Sequence, residues 1–114
     1  MNVNKTILGL KNKTGIDVEQ DMYTGTNDKY ITFNYADETV TIYADGEPQA
    51  DIAYMQIHLF TPIKINYFRY KEQISKYLLE NDFSITSVMT FLEKDTKFRH
   101  TVIEANITEE REVQ

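Results

Sequence analysis

The 114-residue sequence predicts an α+β fold, a two-layer sandwich in which one long helix covers an antiparallel sheet of about five strands. Five segments alternate apolar and polar residues, as strands do when a sheet is buried on one side only. Short links join strands one to three and strands four and five, so these neighbours must run antiparallel. One apolar stripe at helical spacing follows the third strand. The predicted order is α-β-β-β-α-β-β, in a single domain spanning residues 1–114.

The first predicted element is a short helix at about residues 3–13, with apolar residues at helical spacing: Val3, Ile7 and Leu10. Asn2 is a suitable cap for its start, and Gly15 is a suitable stop, because glycine readily adopts the left-handed conformation. Residues 16–23 are extended and compatible with a short strand. Residues 24–29 contain glycine, asparagine and aspartate and are predicted to form a loop.

Three strands are predicted next, at about residues 30–36, 39–44 and 51–60. Their core-facing residues are Ile31, Phe33 and Tyr35; Val40, Ile42 and Ala44; and Ala53, Met55, Ile57 and Leu59. Their outward residues are Tyr30, Thr32 and Asn34; Thr39, Thr41 and Tyr43; and Tyr54, Gln56 and His58. Asp45-Gly46 predicts a tight hairpin turn, closed by Pro48, because glycine accepts a positive φ at no steric cost.

A long helix is predicted from Pro62 to Glu80, with Thr61 as its cap and proline at its first position. Its apolar stripe consists of Ile63, Tyr67, Tyr70, Ile74, Tyr77 and Leu78. The two closing strands are predicted at residues 83–94 and 98–107. Their core-facing residues are Phe83, Ile85, Met89 and Phe91, then Thr101, Ile103, Ala105 and Ile107. The polar residues 108–114 are predicted to be a flexible tail.

Composition excludes several classes of protein. The chain has no cysteine, which excludes a disulfide scaffold and a zinc–thiolate domain. It has no apolar run long enough to cross a membrane and no secretion signal, so a cytoplasmic product is expected. Eighteen acidic residues against twelve basic ones give a net charge of −6, which disfavours specific nucleic-acid binding. Either solubility or repulsion of a passing polyanion accounts for the acidic excess.

No catalytic, cofactor-binding or metal-binding site is predicted. His58 and His100 are the only histidines, and both fall on the outward side of their strands. None of the serines, Ser75, Ser84 and Ser87, has the glycine-flanked turn that exposes a nucleophile. Four glycines cannot build a phosphate-binding loop. The tyrosines suit a core or an interface better than base stacking, because no basic groove accompanies them.

Two surfaces remain after the core is assigned. The outward side of the sheet carries threonine, tyrosine, glutamine and histidine instead of lysine and glutamate, which is typical of a protein interface. Half-exposed tyrosine and threonine also suit any strand, so both interpretations stay open. The long helix has three apolar residues off its main stripe: Ile65, Phe68 and Leu79.

Several segments resemble the tail-completion, or tail-terminator, proteins in the head–tail gene cluster of long-tailed phages and prophages of Gram-positive bacteria. They are KTGIDV at 13–18, YITFNY at 30–35, IYADGEP at 42–48, AYMQIHLFT at 53–61 and EKDTKFRHTV at 93–102. The resemblance covers about residues 3–107. Its motifs are diffuse, and the YADG segment with the long strand after it is the most specific part.

The resemblance implies a non-catalytic subunit without cofactors that closes into a ring, often a hexamer, on the finished tail tube. Its partners would be copies of itself, the tail tube and the head connector, first in the host cytoplasm and then at the head–tail junction of the virion. The residues assigned to assembly are Thr41, Tyr43, Tyr54, His58, Ile65, Phe68 and Leu79. The turn assigned to a neighbouring ring or tube comprises Asp45, Gly46, Glu47 and Pro48.

Two other functions compete with this one. A small acidic inhibitor or DNA mimic encoded by a mobile element fits the charge and size, but it needs carboxylates arrayed along one face. A small-ligand or enzymatic domain is disfavoured by the missing glycine loop and nucleophile, and it would require a deep pocket lined by convergent polar groups.

Overall fold

The computed structural model describes residues 2–37, 40–44 and 46–110. Within these ranges, three helices and six strands pack as two layers, with the helices on one side of a mainly antiparallel sheet, which confirms the predicted α+β class. The elements are α1 Val3–Leu8, α2 Leu10–Thr14, β1 Asp17–Gln20, β2 Tyr30–Tyr35, β3 Val40–Ala44, β4 Glu47–Pro62, α3 Tyr67–Glu80, β5 Ser84–Glu93 and β6 Phe98–Glu110.

The strands lie in the order β1-β2-β4-β6-β5, and β3 pairs with the other end of β4. β1 forms within the segment predicted to be extended, and it runs parallel to β2. The other described pairs are antiparallel. The prediction that the short link joins β2 and β3 as antiparallel neighbours is wrong, because both strands pair with β4 and therefore run in the same direction. Residues 21–29 return the chain to the starting end of the sheet, as parallel pairing requires. The sheet therefore contains one short parallel edge that the hairpin signals alone did not predict.

The core lies between the sheet and a helical layer built from both ends of the chain. The helical layer consists of three helices and not of one long helix as predicted. α1 and α2 cover the β1 side of the sheet, and α3 packs against β5 and β6. The Tyr77 hydroxyl of α3 donates to the Thr6 carbonyl oxygen of α1 at 2.7 Å. Gly9 separates α1 from α2, and a Cβ at this position would collide with that hydroxyl. The buried apolar residues include Ile7, Leu10, Ile31, Phe33, Met55, Ile57, Leu59, Ile74, Leu78 and Ile103.

The long helix begins later than predicted. β4 continues through Thr61 to Pro62, which lies opposite Phe98 of β6, and Thr61 is fully buried. The cap of α3 is Asn66, whose side chain accepts a hydrogen bond from the backbone N–H of Phe68. A Thr-Pro pair suits a helix start and a strand end equally. In this structure it forms the end of β4, where it pairs with β6. No helix in the described ranges is long and apolar enough to cross a membrane.

A bulge in β5 reverses its predicted alternation. Ile85 lies opposite Ala105, but Ser87 lies opposite Glu104, so Thr86 is the extra residue. An extra residue shifts the phase of a strand by one and exchanges its two faces. Val88 therefore joins the helix-covered side opposite Ile103, whereas Met89 and Phe91 turn to the other side. The prediction that Met89 and Phe91 share the core side with Phe83 is wrong for this reason.

The molecule is elongated, with dimensions of 53 × 25 × 24 Å, because the sheet narrows at one end. β2 ends at Tyr35 opposite Met55, and β5 starts at Ser84 opposite Asn106. Beyond these two ends the sheet consists only of β3, residues 47–52 of β4 and residues 107–110 of β6. We name these three stretches the arm. β6 thus extends to Glu110, three residues into the segment predicted to be a tail.

The arm contains the predicted hairpin turn. β3 ends at Ala44 and β4 starts at Glu47, and Gly46 between them has a φ of 77°. Ile42 lies opposite Ala50, which has the same alternation as Tyr54 and is therefore on the outward side. The prediction that Ile42 faces the core and Tyr43 faces outward is reversed, and both side chains are exposed. The predicted turn residue Asp45 lies outside the described residues, as do Glu38 and Thr39.

Candidate functional site

The side of the sheet away from the helices is the largest candidate site, and we name it the open face. Antiparallel pairing places its residues in rows that cross the strands. One row consists of Asp17, Tyr30, Phe60, His100 and Phe91. The next rows are Glu19, Thr32, His58, Val102 and Met89, then Asn34, Gln56, Glu104 and Ser87.

An aromatic stack runs across the open face. The ring of Tyr23, from the loop after β1, lies 4.3 Å from that of Tyr30, and the ring of Tyr30 lies 4.8 Å from that of Phe60. The ring of Phe60 lies 4.2 Å from that of His100. The interplanar angles are 8°, 23° and 18°, so four rings from four parts of the chain stand nearly parallel. Each ring packs against its neighbours, so the stack forms one ordered arrangement on this surface.

A chain of hydrogen bonds lies beside the stack. The Asn34 amide nitrogen donates to the Gln56 side chain at 3.2 Å and to the Tyr35 carbonyl oxygen at 3.3 Å, which orients Asn34 Oδ1 toward His58. His58 Nε2 lies 2.8 Å from that oxygen and therefore carries a proton, because a carbonyl oxygen only accepts. His58 Nδ1 lies 2.7 Å from His100 Nε2 and, in a neutral ring, accepts from it.

Both histidines favour the neutral state. Burial lowers the pKa of His58 below its ordinary value, and a charge on His100 would lower that pKa further. Burial also lowers the pKa of His100, and the nearby Glu93 partly opposes this effect. The Glu93 carboxylate lies 3.7 Å from His100 Nδ1. His100 can accept one proton at Nδ1 and keep its bond to His58, whereas a proton on His58 Nδ1 would break that bond.

No described strand places a lysine or arginine on the open face, and at its margin Lys11 of α2 pairs with Asp17. The six strands contain one basic side chain, Arg99, which lies opposite Thr61 on the helix-covered side and donates to the Ile63 carbonyl oxygen. The carboxylates of the rows stand mainly near the margins: Asp17 and Glu19 on β1, Glu93 at the end of β5, and Glu104 on β6. A hydrogen bond from Tyr23 is the main cause of the lowered Asp17 pKa, followed by bonds from Asn27 and Lys11.

This arrangement is suited to binding a protein surface. In the part of the chain described, no group of three histidine or carboxylate side chains lies together as metal ligands would. Three of the four ring nitrogens of the histidine pair already face hydrogen-bond partners. The open face therefore offers an ordered, mostly uncharged surface whose polar groups are hydrogen-bonded to one another.

The predicted assembly residues fall into three separate groups. Tyr54 and His58 lie on the open face, where the sequence placed them. Tyr43 lies on the arm and faces the opposite side of the sheet, and the side chains of Thr41 and Pro48 are outside the described residues. Gly46 and Glu47 are exposed at the tip of the arm.

The third group lies around α3. Ile65 precedes the helix and is half-buried, so it is not the helical residue that was predicted. Phe68 and Leu79 are exposed, and eleven residues are close to three helical turns, which puts both on the same outer side. Lys71 places its Nζ 4.0 Å from the centre of the Phe68 ring.

Among the residues that organise the open face, only His58 was predicted from the sequence as an assembly residue. Tyr30 and Asn34 were predicted to point outward, and His100 was noted, but nothing joined them to Phe60 and His58. The missing fact is the strand order, because β2 pairs with β4 and β4 with β6. Outward aromatic residues on three strands are the available signal.

No protein-family model and no curated protein matches the chain. A search of solved structures finds similarity to a chain from the "Virion of native gene transfer agent (GTA) particle", with a TM-score of 0.60 and 8% sequence identity. The similarity covers 92% of this chain and 84% of that chain. At this identity it shows that the two chains share a fold.

Proposed function

We propose that this protein is a structural component of a virion, a tail-completion protein that assembles with copies of itself into a ring and performs no catalysis. Two lines of evidence support the proposal. The fold is shared with a chain from a virion particle, and the sequence segments resemble tail-completion proteins over about residues 3–107. The proposed partners are the tail tube and the head connector. The ring, a hexamer by that resemblance, would form in the host cytoplasm and remain at the head–tail junction.

The open face is the observation that carries the proposal. Protein interfaces favour aromatic side chains and few charges, and the stacked rings and the histidine pair meet that description. Surfaces that are ordered before they bind lose little conformational entropy on binding. A ring needs two different patches that meet around a closed rotation. We assign one patch to the open face and the sheet edges, and the other to Ile65, Phe68 and Leu79.

The distribution of charge supports a protein that DNA passes without binding. The net charge is −6, and Arg99 is the one basic residue of the described strands. A passage for a polyanion benefits from the absence of attractive charge. The same face argues against a DNA mimic, because Asp17, Glu19 and Glu93 lie at its margins and neutral residues fill most of its rows.

Light scattering and native mass spectrometry, with and without purified tail tubes, test the proposed function. We expect rings alone or on addition of tubes. Tyr54→Glu places a charge on the open face and should reduce assembly at least tenfold. Asn12→Glu on the exposed side of α2 adds the same charge elsewhere and should not. A strict monomer at high concentration that also fails to bind tubes would contradict the proposal.

A further inference from the structure

The outer edge of β5 is built differently from the edge of a monomeric sheet. In the described part of the chain, β5 pairs with β6 and no strand covers its other side. From Ser84 to Leu92 it contains no charge, no glycine and no proline. Monomeric proteins protect such edges with charges, prolines or short strands, because unpaired N–H and C=O groups bind other extended chains. The bulge at Thr86 protects only the first half of β5.

The second half of β5 also exposes apolar side chains on both sides of the sheet. Val88 and Leu92 lie on the helix-covered side, and Met89 and Phe91 lie on the open face. These four side chains are between 41% and 57% exposed. A partner must therefore supply an extended backbone with apolar side chains on both sides.

The outer edge of β1 does not meet this requirement. It is four residues long and carries Asp17 and Glu19. Asp17 accepts hydrogen bonds from Tyr23 and Asn27 and forms an ion pair with Lys11 at 3.2 Å. Charge and a neighbouring loop thus protect this edge.

β3 does meet the requirement. It is five residues long, contains no charged residue, and pairs with β4 on one side only in the described ranges. Ile42 and Tyr43 expose apolar surface on opposite sides of the strand. Its length equals that of the unprotected stretch from Val88 to Leu92.

We propose that β3 of a second copy of this chain pairs with the outer edge of β5. This pairing rests on the proposed self-assembly and replaces its assignment of patches, because here two different sheet edges of neighbouring copies meet each other. It covers both uncharged edges at once, whereas pairing of β5 with another β5 would leave β3 open. Because the two edges differ, the contact is head-to-tail, which is the kind of contact that closes rings.

One antiparallel register matches the faces of the two strands. Placing Ile42 opposite Met89 makes the open faces of the two copies continuous. The same register places Tyr43 opposite Val88, on the other side. Ser87 then lies opposite Ala44, and Ser84–Thr86 extend past the end of β3.

Disulfide trapping tests the pairing directly, because the chain contains no cysteine. Single variants Ile42→Cys and Met89→Cys, with tags of different mass, are mixed and oxidised. A disulfide needs Cα atoms about 4.4–6.8 Å apart, so we expect the mixed dimer to be the main product. Thr90→Cys is the matched control for Met89→Cys. Its side chain lies on the other face, and it should give at least tenfold less mixed dimer with Ile42→Cys.

The outcomes separate this inference from the proposed function. Oligomers seen by light scattering without the mixed disulfide would overturn the β3–β5 pairing and leave self-assembly standing. A product dominated by Met89→Cys homodimers would also overturn it, in favour of β5–β5 pairing. A strict monomer with and without tail tubes, and no cross-link, would overturn both.

Discussion

The two faces of the sheet are built from the same strands but in different ways. On the helix-covered face, Ile57 and Ile103 lie opposite each other and are fully buried among aliphatic side chains. On the open face, Phe60 and His100 lie opposite each other, half-buried in a stack of rings. The centre of the first face excludes water, so it should determine stability. The second keeps an ordered surface in contact with solvent, so it should determine recognition.

The largest expected effect on stability comes from truncating a buried side chain on the helix-covered face. Ile103→Ala removes a fully buried side chain and should lower the free energy of unfolding by about 2–5 kcal/mol. Val102→Ala changes the next residue of β6, which faces the open side and is half-buried, and should cost less than about 1.5 kcal/mol. Urea denaturation measures both values. Equal losses would show that the two faces do not differ as described.

An intermediate effect is expected from the aromatic stack. Phe60→Ala removes the ring between Tyr30 and His100 and should cost about 1–3 kcal/mol, because the site is half-buried. Phe91→Ala removes a more exposed ring whose centre is 6.4 Å from that of His100, and it should cost less than about 1 kcal/mol. Thermal unfolding of both variants checks the order. A larger loss of stability for Phe91→Ala than for Phe60→Ala would show that the stack does not stabilise the open face.

A small stabilisation is expected on the covered face. The Thr61 hydroxyl is buried and has no hydrogen-bond partner among the described residues. Thr61→Val keeps the shape and should raise the free energy of unfolding by about 1 kcal/mol. Thr101 is equally buried, but its hydroxyl bonds to that of Thr90 at 3.1 Å. Thr101→Val should therefore destabilise by about 0.5–1.5 kcal/mol, and a gain in both variants would refute this distinction.

The smallest expected effect is the dependence of stability on pH. The pKa values of His58 and His100 lie below the ordinary histidine value of 6.5, mainly because both rings are partly buried. Their contribution to stability is complete above pH 6.5 and declines as pH falls through the lowered pKa values, since the unfolded chain binds protons first. Glu93 and Glu104 also face this pair from β5 and β6.

Melting temperatures measured between pH 7.5 and 5.5 should fall for the native chain. They should fall less for His58→Gln, which removes one of the two titrating rings and keeps hydrogen-bonding capacity. A parallel decline in both proteins would exclude His58 as the cause and leave His100 and the carboxylates.

Much of the covered face could be predicted because alternation is local. Ile31 and Phe33, Met55 and Ile57, and Ile103 all occupy the core as their strand periods indicate. The open-face site could be predicted only in part. Tyr54 and His58 were placed on the correct side, but their partners come from β2 and β6, and a sequence period does not state which strands are neighbours.

Where local rules conflicted with pairing, pairing decided. Thr61-Pro62 has the residue types that favour a helix start, but both residues belong to β4 because they pair with β6. The alternation of β5 predicts the correct face for each residue up to Ile85. One extra residue then exchanges the two faces. A bulge has no required residue type here, since Thr86 resembles any other strand residue.

The amino-acid sequence by itself determined the α+β class, the inward residues of β2, β4 and β6, and the turn at Gly46, because each depends on residues within a few positions of one another. The tertiary structure alone decided the strand order, the phase of β5, the aromatic stack and the contact between His58 and His100. These features depend on hydrogen bonds between distant segments, whose geometry is set only when the whole sheet has formed.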